Sequence, residues 1–265
     1  MLRVVCLTAA VAAMAATGFA QPRPQPADCR DRIYSDGNNR AVHCETREET
    51  FAGSGLLDVD ASRNGGIRVR GWDRTDIRVV AQVMAYADSD ARARALAEAV
   101  RIETGGRIRA TGPDTGRGES WSVSFQIDVP RDARLALNTL NGGISIEDFR
   151  GSATFRATNG GVSLADVSGD IRGETTNGGL DVRLTGDRWE GAGLDVRTQN
   201  GGVRMQVPER YSAELETSTV NGRVRIDFPV TLSGTNGRSF TTTLGSGGAR
   251  LRAVTRNGGI RIERR

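Results

Sequence analysis

From about residue 133 onward one pattern of apolar and polar positions recurs along the chain. The triplet Asn-Gly-Gly begins at Asn141, Asn159, Asn177, Asn200 and Asn257, with Asn-Gly-Arg at Asn221 and an earlier Asn-Gly-Gly at Asn64. From Asn141 to Asn257 the spacings are 18, 18, 23, 21 and 36. The first and third residues after each triplet are aliphatic, as in Ile144/Ile146, Val162/Leu164, Leu180/Val182, Val203/Met205, Val224/Ile226 and Ile260/Ile262. The sixth, fourth and second residues before the Asn form another apolar face that ends mostly in Thr, as in Leu135/Leu137/Thr139 and Leu194/Val196/Thr198. Alternation with a period of two predicts a half-buried strand on each side of the triplet. Each repeat should therefore read strand, NGG corner, strand, variable corner, and self-similarity of this length predicts stacked repeats.

The corner itself is expected to bend the chain through positive φ, which Asn followed by Gly adopts at least cost. The second Gly is expected to leave no Cβ where stacked corners crowd. If strands lie about 4.8 Å apart, the side chains of Asn64, Asn141, Asn159, Asn177, Asn200, Asn221 and Asn257 overlie one another and can hydrogen-bond as a ladder. Asn-Gly is also a strong two-residue hairpin signal, so an antiparallel meander competes with a solenoid. The opposite corner, which varies from FRGS to VSGD to TGDRWEGAG, favours the solenoid because a coil tolerates one-sided insertions. The stretch 231–248 inside the longest spacing is expected to be an insertion or a degenerate coil.

Before the regular repeats, LLDVDA (56–61), IRVRGW (67–72), DIRVVAQVMAY (76–86), RIETGGRIRATG and SWSVSFQIDVP are strand-like. One helix is predicted at about 89–100, where Asp and Ser capping residues precede strong helix formers with no Gly or Pro. The expected fold is mainly β: a single-stranded β-solenoid or β-helix-like stack of NGG-cornered coils, filling 47–265, with one short α-helix.

Residues 1–20 carry an early Arg, an Ala-rich apolar run and small residues before a cleavage point, which predicts a signal peptide and no transmembrane segment after its removal. Residues 21–46 form a Pro-rich segment with Cys29 and Cys44, the two cysteines left after cleavage. An even pair in an exported chain predicts a disulfide, worth roughly 3 kcal/mol for a loop of this length. All 36 basic residues are Arg, and the formal charge of +4 is too small to argue for nucleic acid.

No GxSxG, P-loop, HExxH or CxxC motif occurs, and His43 is the only histidine. No cofactor, metal or catalytic residue is therefore expected. Asp166, Asp170, Asp181, Asp187 and Asp195 are the carboxylates that a polysaccharide lyase or hydrolase would need to cluster. Their simpler role is to pair with arginines on outward columns such as Arg156, Glu174 and Arg197, or Arg172 and Asp195. One column is less balanced. The residue between the two aliphatics after the triplet is Arg68, Ser145, Ser163, Asp181, Arg204, Arg225 and Arg261. Arg204, Arg225 and Arg261 form a candidate anion contact, with Arg204 and Arg225 expected on adjacent rungs, unless Asp227 and Glu263 neutralise them.

The serial NGG[ILV]x[ILVM] units, GWDR at Gly71–Arg74, the Ala-rich helix after it, WSVSF at Trp121–Phe125 and GLDVRTQNGGV at Gly193–Val203 resemble the DUF4097 family over about residues 45–265. The resemblance implies a β-solenoid-like fold, an envelope or surface location and a proposed adhesin role, and no catalytic residues. The functional expectation is an exported, non-enzymatic solenoid whose polar surface serves adhesion or binding at the cell envelope, in the periplasm or at the cell surface. Its partner would be an envelope or surface polymer or another envelope protein. The alternatives are a periplasmic accessory in envelope sensing and a carbohydrate-active enzyme on a β-helix scaffold.

Overall fold

The computed structural model describes residue 29 and residues 40–53, 55–229 and 238–265. The signal-peptide reading and most of the Pro-rich segment lie outside the described residues. Alternating apolar positions become strands almost wherever the sequence has them. The first part contains β1 (Ala41–Ala52), β2 (Leu56–Asp60), β3 (Ile67–Trp72), β4 (Asp76–Ala87), α1 (Asp90–Ala99), β5 (Arg101–Glu103), β6 (Arg107–Thr111) and β7 (Ser120–Pro130). Regular repeats then supply strand pairs on either side of each triplet: β8 (Arg134–Asn141) with β9 (Ile144–Glu147), β10 (Ser152–Asn159) with β11 (Val162–Ala165), and β12 (Asp170–Asn177) with β13 (Leu180–Arg183). They continue with β14 (Gly193–Asn200) and β15 (Val203–Val207), β16 (Ala213–Asn221) and β17 (Val224–Ile226), a lone β18 (Ser239–Leu244), and β19 (Arg250–Asn257) with β20 (Ile260–Arg264).

The two strands flanking a triplet belong to different sheets, which excludes the meander. The first sheet runs β1-β4-β7-β3-β9-β11-β13-β15-β20-β17 and the second β18-β16-β19-β14-β12-β10-β8-β2-β6-β5. Within the repeats all pairing is parallel and in register, so Leu164 lies between Ile146 and Val182, and Ala153 between Leu135 and Ile171. The result is a solenoid-like stack of rungs, each contributing one strand to each sheet. Inward side chains such as Leu137, Ile146, Leu164, Val182, Val196 and Met205 meet between the sheets at 0–1% exposure, forming one continuous core. Such burial is the main stabilising term, because a single strand pair cannot hide its own apolar face.

One end of the stack carries antiparallel strands and the helix. β1 pairs with β4 and β4 with β7, both antiparallel. Helix α1 starts at the Ser89 N-cap, whose side chain accepts from the Arg92 N–H, and buries Ala93, Leu96 and Ala97. Its last carbonyls are capped from β1, where the Arg47 guanidinium donates to the carbonyls of Val100 and, at 3.0 Å, Ala97. Cys29 and Cys44 are joined with a Cα–Cα distance of 5.6 Å. This bond ties residue 29 to β1.

The order of rungs departs from the order of the sequence in two places. The rung of β6 and β7 lies outside that of β2 and β3, and the rung of β19 and β20 is inserted between those of β14/β15 and β16/β17. The chain leaves an open slot after β15, builds β16 and β17 beyond it, and fills the slot with its last repeat. The stretch expected to be an insertion instead supplies β18, which pairs antiparallel with the far edge of β16. A parallel stack leaves unpaired backbone at its ends, and antiparallel strands close the second sheet at both of them.

This intercalation has a measurable consequence. Leu251 is fully buried between Leu194 and Leu215. Leu251→Ala should cost about 2–5 kcal/mol, as an interior core truncation does, and should lower the main thermal transition followed by circular dichroism. A loss of only the last rung, with the main transition unmoved, would mean that the final repeat sits at an end of the stack.

Candidate functional site

The triplets line up across the stack, and each of their three residues has a separate task. The Asn side chains form one ladder: Asn141 donates to Asn64 at 3.1 Å, Asn159 to Asn141, Asn177 to Asn159 and Asn200 to Asn177 at 2.8 Å, Asn257 to Asn200 and Asn221 to Asn257 at 2.7 Å. On every rung but the edge one the N–H of the first glycine donates to the neighbouring Asn carbonyl, as from Gly142 to Asn159 and from Gly160 to Asn177. Its carbonyl accepts from a buried threonine two residues before an Asn: Thr139 to Gly65, Thr175 to Gly160, Thr198 to Gly178, Thr255 to Gly201 and Thr219 to Gly258, at 2.7–2.8 Å.

Crowding explains the first glycine. A Cβ on Gly142, Gly160, Gly178 or Gly201 would lie 2.0–2.1 Å from the carbonyl oxygen of the first glycine in the neighbouring rung. That is backbone overlap, which no side-chain movement relieves. Both halves of the sequence expectation are thereby corrected. Among the triplet glycines only Gly258 has a positive φ, 158°, which is close to extended, so the corner is not a left-handed turn. The crowded position is the first glycine rather than the second. A Cβ on Gly66, Gly143, Gly161, Gly179 or Gly202 would lie 3.1–3.4 Å from the nearest backbone oxygen, which a shift of a few tenths of an ångström accommodates. Arg223 already occupies this position on the rung of β16 and β17.

The bare second glycines form part of an open groove of about 960 Å³ on the outer face of the first sheet. It crosses β4, β7, β3, β9, β11, β13 and β15, from Gln82 at one end to Arg204 at the other. Six strand spacings make it about 29 Å long. The residues between the paired aliphatics contribute Arg68, Ser145, Ser163, Asp181 and Arg204, and β7 adds Ser124 and Gln126. The aliphatics themselves point into the core, so outward side chains here are polar or absent. The Ser145 hydroxyl is held against Glu147 at 3.0 Å.

The arginine column is arranged differently from the expectation. Because β20 intervenes between β15 and β17, Arg204 and Arg225 are not on adjacent rungs: Arg261 pairs in register with both. The neighbouring acids take up two of the three. Arg204 lies 2.7 Å from Glu263, and Arg261 lies 2.9 Å from Asp227 and also contacts Glu263. The hydrogen bond from Arg204 holds the Glu263 carboxyl below its ordinary range, and the same bond raises Arg204. Arg225, on the edge strand, has no ion pair among the described residues. Of these arginines only Arg204 reaches the groove.

The five carboxylates are not assembled in one place. Asp181 is in the groove, Asp170 and Asp195 are on the outer face of the second sheet, and Asp166 and Asp187 are at the variable corner. Asp195 is desolvated, yet hydrogen bonds from Arg197 and Arg252 bring its carboxyl below the ordinary value. Arg156 pairs across rungs with Glu174 at 3.0 Å, whereas Arg172 and Arg197 pair with Asp170 and Asp195 on their own strands. Among the described residues no group of three or more His, Cys, Asp or Glu is placed to hold a metal. Among them, too, no helix is long and apolar enough to cross a membrane.

Parallel in-register rungs with a polar outer face define this chain as a protein of stacked β repeats. The Toastrack DUF4097 family model matches residues 87–263, more than half of the chain, and the protein belongs to that family. No curated protein matches the sequence. Among solved structures, a proposed cell adhesion protein of Clostridium sporogenes is similar at 10% identity, over 83% of this chain and 100% of that one, with a TM-score of 0.36. A proposed adhesin of Bacteroides fragilis is similar at 11% identity, over 83% and 97%, with a TM-score of 0.32. A proposed lipid binding protein of Parabacteroides distasonis is similar at 12% identity, over 83% and 96%, with a TM-score of 0.33.

The two glycines of a triplet should respond differently to the same substitution. Gly160→Ala places a Cβ 2.0 Å from the Gly142 carbonyl oxygen and should cost about 3 kcal/mol or prevent folding, whereas Gly161→Ala, at 3.4 Å from that of Gly179, should cost about 1 kcal/mol or less. Thermal unfolding of the two variants checks this directly. Equal destabilisation would remove the distinction between the crowded and the bare column.

Proposed function

We propose that this chain is a single-stranded β-solenoid with NGG corners, exported to the cell envelope, that acts without catalysis by laying an extended polymer along the groove of its first sheet. One observation carries the reading. Second glycines stay bare on consecutive rungs where neither φ nor backbone overlap demands glycine, and the column they leave open is the groove. A pure scaffold has no reason to keep a trough free of side chains, whereas a binding surface does. The Cys29–Cys44 bond supports export, since such bonds persist in oxidising compartments.

A second reading, contact with an anionic polymer at Arg204, Arg225 and Arg261, has one observation in its favour. Arg225 has no ion pair among the described residues, although Glu263 and Asp227 offset its two companions. The two readings differ in what disrupts binding.

Filling the groove tests the first. Gly161→Arg/Gly179→Arg puts into the groove the side chain that the edge rung already carries at this position. Retention of the protein on isolated, washed envelope polymer should fall at least tenfold, with the thermal midpoint within a few degrees of the parent. Arg225→Ser should leave retention unchanged. Undiminished retention by the folded double variant would overturn the groove reading, and loss with Arg225→Ser alone would favour the anionic contact.

A further inference from the structure

The groove carries a row of backbone donors that the fold does not use. Within each triplet the first glycine N–H donates to the next rung, as from Gly142 to Asn159, and the second glycine carbonyl accepts from the preceding one, as Gly161 does from Ile144. The second glycine N–H is not committed. Those of Gly143, Gly161, Gly179 and Gly202 have no partner among the described residues, and all four glycines are exposed and line the groove. At the end of the row such a donor finds a partner within the groove. The equivalent N–H of Gly66 donates to the Ser124 hydroxyl at 3.3 Å, and Ser124 is itself a groove residue. The protein thus supplies its own hydroxyl oxygen to the first donor and, among the described residues, no partner to the next four.

We propose that these four N–H groups bind oxygen atoms of a linear, neutral glycan lying across the strands, one sugar to each rung. This rests on the groove reading above and names the ligand class.

Four chemical constraints lead to that class. The donors recur at one strand spacing, about 4.8 Å, whereas an extended peptide repeats its carbonyls along one edge at about 6.6 Å, so only a chain whose unit advances by close to one strand spacing stays in step. A linear pyranose polymer does so, and every ring carries several oxygens able to accept. Charge in and beside the groove is balanced: Arg68 and Arg204 stand against Asp181 and Glu263, which favours a neutral ligand over a polyanion. Outward side chains in the groove are serine, glutamine, aspartate and arginine over a floor with more apolar than polar surface, a combination that suits the polar rim and apolar face of a sugar ring. A polyhydroxy ligand also uses what remains, because its hydroxyl hydrogens can donate to Ser163, Asp181 and Gln126 while its oxygens accept from the glycines.

Other features of the molecule carry less. The arginine-lined hollow at Asp170, Arg172, Asp195, Arg197, Arg250 and Arg252 is internally paired, with Glu216 completing the set. The hollow at the variable corner, with Asp148, Asp166 and Asp187, is flanked by Arg131, Arg150 and Arg188.

Amide NMR on the full exported chain reads the proposal directly. Titration with neutral β-linked gluco-oligosaccharides of increasing length should shift the amide resonances of Gly143, Gly161, Gly179 and Gly202 while leaving those of Gly142, Gly160, Gly178 and Gly201, already bonded to Asn carbonyls, nearly unmoved. Affinity should rise with chain length, stay constant on adding salt, and drop at least tenfold in Gly161→Arg/Gly179→Arg. Oligogalacturonate is the anionic arm, and preferential binding of it with salt-dependent affinity would overturn the neutral class. If no neutral glycan moves the four amides while the filled-groove variant still loses envelope retention, the ligand class falls and the groove reading stands. If retention is also unaffected, both fall.

Discussion

Everything in this fold depends on how closely one NGG corner approaches the next. At the first glycine the neighbouring carbonyl sits where a Cβ would be, so the rungs can close to strand spacing only if that atom is missing. Three sets of hydrogen bonds share the same register: the Asn ladder, the glycine N–H to Asn carbonyl, and the threonine hydroxyl to glycine carbonyl. Because a slip of one residue would turn every apolar side chain outward, the corner fixes the core as well as the edge. The aliphatic residues then supply the energy, and the triplet decides where they go.

A constraint that is so strict at one glycine makes the leniency at the next informative. Both glycines are repeated, yet only one is demanded by contact. The second column instead faces solvent, with a donor on each of four rungs that has no partner among the described residues and a groove running along them. The two columns lie one residue apart and point to opposite roles, one cementing the stack and the other leaving a surface free. Surface charges fit this division, since arginines such as Arg156, Arg197, Arg204 and Arg261 are each offset by a nearby acid and no strongly charged strip crosses the groove.

The rung order shows what a repeated corner permits. Each rung presents its neighbour with the same ladder of groups, so any rung can in principle follow any other. The last repeat exploits this interchangeability, entering between two earlier ones with Asn257 bonded to Asn200 on one side and accepting from Asn221 on the other. Local contacts do not forbid the arrangement, and it brings the far end of the chain into the middle of the stack.

The sequence by itself determined the strands, the inward faces, the helix, the Asn ladder and the disulfide pair, because each is written in a short-range pattern or a count: period two, a fixed corner, a capped run, two cysteines. It could not determine which glycine is crowded, since both are identical in the sequence and differ only in what the next rung places beside them. Nor could it show that Arg261 stands between Arg204 and Arg225, because stacking order is a matter of which slot remains open and not of distance along the chain. The groove escaped for the same reason. Ser145, Ser163 and the second glycines are its visible signal, but small residues read as absence until the rungs are aligned. Only the tertiary structure places those absences side by side, and a row of missing side chains with free N–H groups becomes a surface through the in-register stacking of strands far apart in sequence.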